Sequence, residues 1–139
     1  MTSENRDDAE TLLKAIDDLK ILIVEDDETS GKLITMVVKK FARETLRARN
    51  GAEAVKICKE TPDVDLILMD IQMPLMNGYE ATTEIRKFNN NVVIIAQTAN
   101  AFEGDKTNAL ANGFNDYISK PIDRTKIEGF VNQYFGNRD

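Results

Sequence analysis

The sequence predicts an α/β protein built on one doubly wound sheet of five parallel strands. Short apolar runs rich in β-branched residues alternate along the chain with longer segments of helical periodicity. Parallel strands need long crossover connections, so this alternation indicates helices on both faces of the sheet. The length of 139 residues suits a single domain with one sizeable core.

The strands are expected over residues 20–25, 45–50, 66–69, 92–98 and 116–119. The runs KILIVE and LILM are apolar almost throughout, which is typical of strands buried on both faces. The helices are expected over residues 28–41, 51–61, 79–88, 104–112 and 124–134. Asn77-Gly78 forms a turn before the third helix, and Gly113 ends the fourth.

The first residues differ from the rest of the chain. Residues 1–19 are an acidic tail followed by a linker helix, because Ala9, Leu12, Leu13, Ile16 and Leu19 fall at helical spacing. This helix either packs on the domain or is the end of a linker from a larger protein. The domain itself is assigned to residues 20–135, with a tail over 136–139.

Composition excludes several kinds of function. The net charge of −6 and the lack of a basic stripe argue against nucleic-acid binding, and no apolar run approaches the ~20 residues of a membrane span. With no signal peptide, the expected location is cytoplasmic, and the single Cys58 is interpreted as a buried helix residue. The chain has no histidine, which excludes histidine catalysis and a phosphohistidine of its own.

Chemically active residues follow four of the predicted strands. Glu25, Asp26 and Asp27 follow the first strand, and Asp70 follows the third. Thr98 ends the fourth strand and Lys120 follows the fifth. In a doubly wound sheet the ligand site lies beyond the carboxyl ends of the strands, so these side chains are expected to converge.

Such a set suits phosphoryl chemistry. Close carboxylates repel one another and raise their pKa values unless a cation lies among them, and Mg²⁺ prefers carboxylate oxygens. Lys120 supplies positive charge and Thr98 a hydroxyl donor for a transferring phosphoryl group. Asp70, at the end of the central strand, is the best covalent acceptor. For Asp27 or Glu28 alone, helix capping explains the acidic residue better.

The segments ILIVEDDE, LILMDIQMPLMNGYE, AQTANA and DYISKP resemble the signature segments of the response-regulator receiver domain of two-component signalling. The resemblance covers residues 20–135. It implies a flavodoxin-like (βα)5 fold with strand order 2-1-3-4-5. It also implies a regulatory phosphoacceptor rather than an enzyme, with self-dephosphorylation as a further Mg-dependent possibility.

The resemblance implies a metal site around Asp70, the phosphoacceptor. Asp26 would bind Mg²⁺ directly and Glu25 mainly through water, and Mn²⁺ could substitute. The backbone carbonyl of Gln72 would be the third protein ligand. Asp27 would begin the first helix.

The resemblance also implies a switch. Thr98 would be the switch hydroxyl, Lys120 the partner of the phosphoryl group and Tyr117 the switch aromatic. Phosphorylation would change the surface of the fourth helix, fifth strand and fifth helix. A cis Lys120-Pro121 bond would turn the chain while Lys120 points into the site.

The implied partner is a histidine kinase or a histidine-containing phosphotransfer protein. The phrase MDIQMPLMNGYEATTEIR is similar to receivers of hybrid sensor histidine kinases, with a stand-alone shuttle regulator as the alternative. The first helix carries apolar residues over roughly 200° of its circumference, wider than a core-facing stripe needs. Either the helix is broadly buried or part of this face docks the phosphodonor.

Two readings from other classes remain. A haloacid-dehalogenase-type enzyme would need an aspartate two residues after Asp70, where the chain has Gln72. A purely protein-binding pseudo-receiver would not accept a phosphoryl group.

Overall fold

The computed structural model describes residues 18–73, 75–99 and 103–136. Its five strands are all parallel and lie in the order β2-β1-β3-β4-β5, as the sequence predicts. They are β1 (Leu19–Val24), β2 (Ala42–Ala48), β3 (Leu66–Asp70), β4 (Val93–Thr98) and β5 (Asp116–Ser119). The α-helices are α1 (Glu28–Val38), α2 (Gly51–Glu60), α3 (Gly78–Arg86), α4 (Glu103–Ala111) and α5 (Arg124–Phe135).

The sheet has a hydrophobic core on each face. Along β1, Leu22 and Val24 pack with residues of α2, α3 and α4, whereas Ile21 and Ile23 pack with residues of α1 and α5. Side chains alternate between the faces of a strand, so a strand covered on both sides must be apolar at every position. All six residues of β1 are buried, which confirms the interpretation of its apolar run.

The structure corrects several predicted boundaries, and two of the corrections affect the pairing of the sheet. Strand β2 begins at Ala42 rather than at residue 45, directly after a 3₁₀ turn (Lys39–Phe41) that follows α1. Ala42 pairs with Leu19, which is a fully buried residue of β1 and not part of a linker helix. The rest of the predicted tail, residues 1–17, lies outside the described residues, as do residues 137–139 of the second tail.

Polar side chains cap the helices that follow β1 and β3. The Asp27 side chain accepts a hydrogen bond from the Ser30 N–H at 2.8 Å and caps α1. Asn77 and Glu80 form a capping box at the start of α3. These caps fix where the loops at the carboxyl edge of the sheet end. Within the described residues, no helix is both long enough and apolar enough to cross a membrane.

Candidate functional site

The carboxyl edge of the sheet brings the predicted acidic residues together. Glu25 and Asp26 directly follow β1, and Asp70 is the last residue of β3. The three side chains each offer a carboxylate oxygen, and these oxygens lie within 4.8 Å of one another. Glu25 and Asp70 are 2% and 4% exposed, whereas Asp26 is exposed to solvent. The site is therefore a cluster of carboxylates with two buried members and one open to solvent.

Lys120 is the cation of this cluster. Its Nζ lies 3.1 Å from Glu25 Oε2 and 3.2 Å from Asp70 Oδ2. Burial by itself would lower the pKa of Lys120, but the charge of Asp70 and the hydrogen bond to Glu25 outweigh it and raise the pKa. Lys120 therefore keeps its positive charge between two buried carboxylates.

Glu25 is the carboxylate whose pKa this arrangement raises. Burial raises the pKa of Glu25, and the neighbouring charge of Asp70 raises it further against the opposing effect of Lys120. Its Oε1 accepts a hydrogen bond from the Asp27 N–H at 3.2 Å. Asp27 itself caps α1, which confirms that it is a helix-start residue.

The loop after β3 holds Asp70 closely. The Gln72 N–H donates to Asp70 Oδ1 at 2.9 Å, so the backbone folds back toward the carboxylate. A Cβ atom at Gly78 would lie 2.5 Å from the Asp70 carbonyl oxygen. Gly78 has no positive φ, so the need for glycine in this turn comes from space: a side chain would not fit there. Pro74, in the same loop, lies outside the described residues.

The predicted switch residues lie at the ends of β4 and β5. Thr98 is buried as the last residue of β4, and its carbonyl accepts a hydrogen bond from the Lys120 N–H at 2.8 Å. Tyr117 is half-buried in β5 and packs against the core on the α2–α4 face. The Lys120-Pro121 bond is cis, as predicted. Tyr117 thus lies near the site without belonging to the charged cluster.

The donor set fits a hard divalent cation. Three carboxylates with oxygens within 4.8 Å, two of them withdrawn from water, match the oxygen ligands that Mg²⁺ uses in proteins. The charge of Lys120 balances only part of this negative charge. The carbonyl of Gln72 as a ligand stays a prediction, since the structure describes only its N–H contact with Asp70.

Sequence reasoning missed a second cation near the cluster. Arg47, in β2, lines a cavity of about 410 Å³ together with Asp26. The signal was present in the motif RAR, which places two arginines at the carboxyl end of an edge strand whose one neighbour, β1, is followed by acidic residues. The sequence could not show that Arg47 lies beside Asp26, because the two residues are 21 positions apart and meet only when β1 and β2 pair.

Comparison with known proteins agrees with this geometry. The model of the family described as response regulator receiver domain matches residues 21–132. Hybrid signal transduction histidine kinase G of Dictyostelium discoideum is 42% identical over 122 residues, covering 84% of this chain and 4% of that protein. The chain spans only 4–7% of the length of the first curated relatives that it matches.

Two solved structures share the fold at substantial identity. One is the co-crystal structure of the Saccharomyces cerevisiae histidine phosphotransfer protein Ypd1 and the receiver domain of its response regulator Ssk1. It matches with a TM-score of 0.79 and 32% identity, covering 86% of this chain and 90% of that chain.

The other is the receiver domain of sensor histidine kinase PA1611 from Pseudomonas aeruginosa, with a magnesium ion coordinated in its active site cleft. It matches with a TM-score of 0.75 and 36% identity, covering 86% of this chain and 98% of that chain. The family match covers most of the sequence and the fold and acidic cluster agree with it, so this chain belongs to the response regulator receiver domain family.

Proposed function

We propose that this chain is a signalling switch in which Asp70 accepts a phosphoryl group from a phosphohistidine partner. The observation that carries the proposal is the placement of Lys120 Nζ, 3.1 Å from Glu25 and 3.2 Å from Asp70, at an edge with three close carboxylates. A buried acceptor oxygen with a fixed cation beside it is suited to receive and neutralise a phosphoryl group.

Each residue has a role in the transfer. A carboxylate oxygen of Asp70 forms the new bond to phosphorus, while the bond from phosphorus to the donor imidazole breaks and its electron pair stays on the donor. Lys120 offsets the negative charge of the phosphoryl oxygens. The Thr98 hydroxyl donates a hydrogen bond to the phosphorylated state. The chain is thus a regulatory acceptor rather than an enzyme. In a separate Mg-dependent self-dephosphorylation, water would attack phosphorus, release inorganic phosphate and restore the Asp70 carboxylate.

The same edge would hold Mg²⁺, or Mn²⁺ in its place. Asp26, Asp70 and the Gln72 carbonyl would bind the ion directly, and Glu25 would bind through water. When bound, the ion supplies charge neutralisation for the phosphoryl oxygens. The clustered carboxylates and the magnesium ion of the PA1611 receiver domain support this assignment.

Phosphorylation would be read out as a population shift. A phosphoryl group adds roughly −1.5 to −2 charge and three acceptor oxygens next to Thr98. Thr98 would turn toward the group and Tyr117 would fill the vacated space. Because Tyr117 lies in β5, the change would reach the surface of α4, β5 and α5.

The first prediction tests the acceptor and the metal together. Acetyl phosphate should phosphorylate the chain in the presence of Mg²⁺ and not after chelation, as measured by intact mass spectrometry. Asp70→Asn should abolish the modification, because it removes the nucleophilic carboxylate. Asp63→Asn is the control, since Asp63 pairs with Lys20 away from the site.

Equal modification of the Asp70→Asn variant, or modification without metal, would contradict the proposal. A complete failure of Asp70 to react would favour a purely protein-binding domain. Phosphatase activity on small substrates would favour a dehalogenase-type enzyme.

The partner would be a histidine kinase or a histidine-containing phosphotransfer protein that docks on α1. Leu33 and Met36 of this helix are 58% and 72% exposed, whereas Ile34 and Val38 are buried. The broadly apolar helix is therefore only partly used by the core. Leu33 also lines a cavity of about 380 Å³ with Lys120 and Ile122, so the exposed face borders the site. The pairing of Ypd1 with the receiver domain of Ssk1 supports this kind of partner.

The second prediction tests this docking face with Leu33→Glu. A buried charge at a docking interface should slow transfer from a phosphorylated partner by tenfold or more, about 1.4 kcal/mol or more. The rate with acetyl phosphate should be unchanged. Leu110→Glu on α4 is the matched control, because Leu110 is also exposed but lies on another helix. Equal losses with both donors, or no loss with either, would show that the face serves the fold.

The last part of the proposal concerns the kind of protein to which this receiver domain belongs. Similarity to hybrid histidine kinases supports a receiver belonging to such a protein, acting in the cytoplasm. No direct contact with nucleic acid or membrane is proposed for it. Phosphotransfer profiling against candidate histidine-bearing partners would identify the donor.

A further inference from the structure

Arg47 has an unusual position at the carboxyl end of β2. Its guanidinium lies against the backbone of α1 at Gly31. A Cβ atom on Gly31 would overlap Nη2 of Arg47, so only glycine leaves room for the guanidinium in this position. Gly31 therefore costs the helix some intrinsic stability and accommodates one particular side chain.

Arg47 also lacks a partner within the described part of the chain. Among the residues that the structure describes, no carboxylate or carbonyl oxygen pairs with it, and its Nε atom is buried without a hydrogen bond. Other cations of the sheet do have ion-pair partners: Arg43 pairs with Asp18, and Lys120 pairs with Glu25. A buried donor left without an acceptor costs about 1–3 kcal/mol, so the arrangement calls for an acceptor.

Arg47 lines a cavity that also reaches the acidic site. The cavity, about 410 Å³, is lined by Asp26, Glu28, Arg47, Arg49 and Glu53. Asp26 is also a member of the carboxylate cluster around Asp70. None of the three carboxylates in the cavity lies within ion-pair distance of Arg47, and Arg49 adds a second, exposed cation. The cavity therefore leads from the site to two arginines.

We propose that Arg47, assisted by Arg49, forms an anion-binding subsite that takes the phosphate oxyanion of an approaching phosphodonor. The inference rests on the proposed function, because it assigns the subsite to the donor of the same reaction. A phosphodonor must approach an edge that carries Glu25, Asp26 and Asp70, where its negative charge is repelled. A planar guanidinium with parallel N–H donors binds phosphate oxygens and offsets that repulsion locally.

Direct binding can be measured without any phosphorylation. The ¹⁵N-labelled protein is titrated with inorganic phosphate at constant ionic strength, and the Arg47 Nε–H resonance is followed by NMR. The subsite predicts a saturable shift of this resonance and of the neighbouring Gly31 amide. Acetate titrated in the same way should produce little shift.

Variants assign the effect to the guanidinium. Arg47→Gln should remove the phosphate-induced shift at Gly31, and Arg43→Gln should retain it, because Arg43 pairs with Asp18 and Asp63. Gly31→Ala should weaken binding by displacing the guanidinium. With acetyl phosphate, Arg47→Gln should raise the half-saturating concentration about threefold or more while the maximal rate stays within about twofold.

Each result decides the inference. No shift at Arg47 with phosphate, an equal shift with acetate, or retention of the Gly31 shift in Arg47→Gln would overturn it. An equal shift with acetate would instead identify a subsite for an acidic side chain. If phosphate binds at Arg47 but Asp70 accepts no phosphoryl group, the proposed function fails while the binding result stands. If Asp70 reacts normally and Arg47 binds nothing, only the subsite is wrong.

Discussion

Two partly buried cations hold the opposite edges of the sheet in different ways. At the carboxyl edge, Lys120 pairs with the carboxylates of Glu25 and Asp70. At the amino edge, Arg86 of α3 pairs with no carboxylate among the described residues. It donates instead to four neutral oxygens at 2.7–3.3 Å: the carbonyls of Gly113, Asn89 and Val92, and Asn115 Oδ1.

Around Arg86 the acceptors are neutral and satisfied, although the same edge also carries charged groups such as the Lys20–Asp63 pair and Asp116. Asn115 Oδ1 also accepts from the Ile94 N–H at 2.8 Å, and Tyr134 donates to the Asn115 carbonyl at 3.0 Å. Arg86 thereby connects α3 with the starts of β4 and β5, while α5 reaches the same point through Tyr134. Burial lowers the pKa of Arg86, but a guanidinium remains charged. Nothing in this network requires a change of charge.

The carboxyl edge is a balance of opposite charges instead. A phosphoryl group or a divalent cation changes that balance directly, whereas neither has a comparable effect on neutral carbonyls. We therefore expect the contacts of Arg86 to serve stability and the contacts of Lys120 to respond to phosphorylation and metal binding. Variants of Arg86 should therefore lose stability whether or not metal is present, whereas the stability of Lys120 variants should depend on metal.

The largest expected effect is the loss of stability in Arg86→Met. Removing the guanidinium leaves three partly buried carbonyl oxygens without this donor, so the free energy of unfolding should fall by about 2–4 kcal/mol in urea titrations. Arg86→Lys should lose less, because an ammonium can satisfy some of these acceptors but lacks the planar fork. Modification of Asp70 by acetyl phosphate should persist in the folded fraction. A loss of unfolding free energy below about 1 kcal/mol would contradict a stabilising role for the Arg86 contacts.

A smaller effect, with a different response to metal, is expected for Lys120→Met. Two buried carboxylates would lose their cation, so stability at pH 7.5 should fall by about 1–2 kcal/mol. Millimolar Mg²⁺ should recover part of the loss by supplying positive charge at the same carboxylates. Lys32→Met, at an exposed pair with Glu28, should show neither effect. The same loss with and without Mg²⁺ would contradict a site governed by charge balance.

The smallest effect concerns Glu25→Gln in the absence of metal. The folded chain holds the Glu25 proton more tightly than the unfolded chain does, because the folded pKa is raised above 4.5. As the pH rises from 4.5 to that raised pKa, ionisation of Glu25 lowers the free energy of unfolding. Glu25→Gln removes this penalty, so the variant should gain up to about 1 kcal/mol at neutral pH.

The pH dependence is the decisive measurement for Glu25. The stability gained by Glu25→Gln should be absent below pH 4.5. It should grow between pH 4.5 and the raised pKa of Glu25, and stay constant at higher pH. Glu53→Gln, in the first turn of α2, is the control. A gain that is independent of pH would point to packing rather than to ionisation.

The fold class and the main members of the candidate site were predictable from local sequence patterns. Apolar runs such as residues 20–25 and 66–69 locate buried strands, and parallel strands necessarily end at the same edge. Glu25, Asp26, Asp70 and Lys120 could therefore be brought together before any coordinates were known. For α1, periodicity predicted a broad apolar surface. It could not predict which part of that surface is exposed, because this depends on which neighbouring helix covers it.

Tertiary structure decided everything that depends on contacts between distant segments. The start of β2 at Ala42 follows from its pairing with Leu19, because ARETLRA is a partly polar edge strand without a strong apolar signal of its own. The four acceptors of Arg86 come together only when loops before β4 and β5 fold against α3. The fit of Arg47 onto Gly31 likewise exists only where β2 lies beside α1. Local patterns report which face of an element is apolar, whereas partners for a long charged side chain are set by packing between elements.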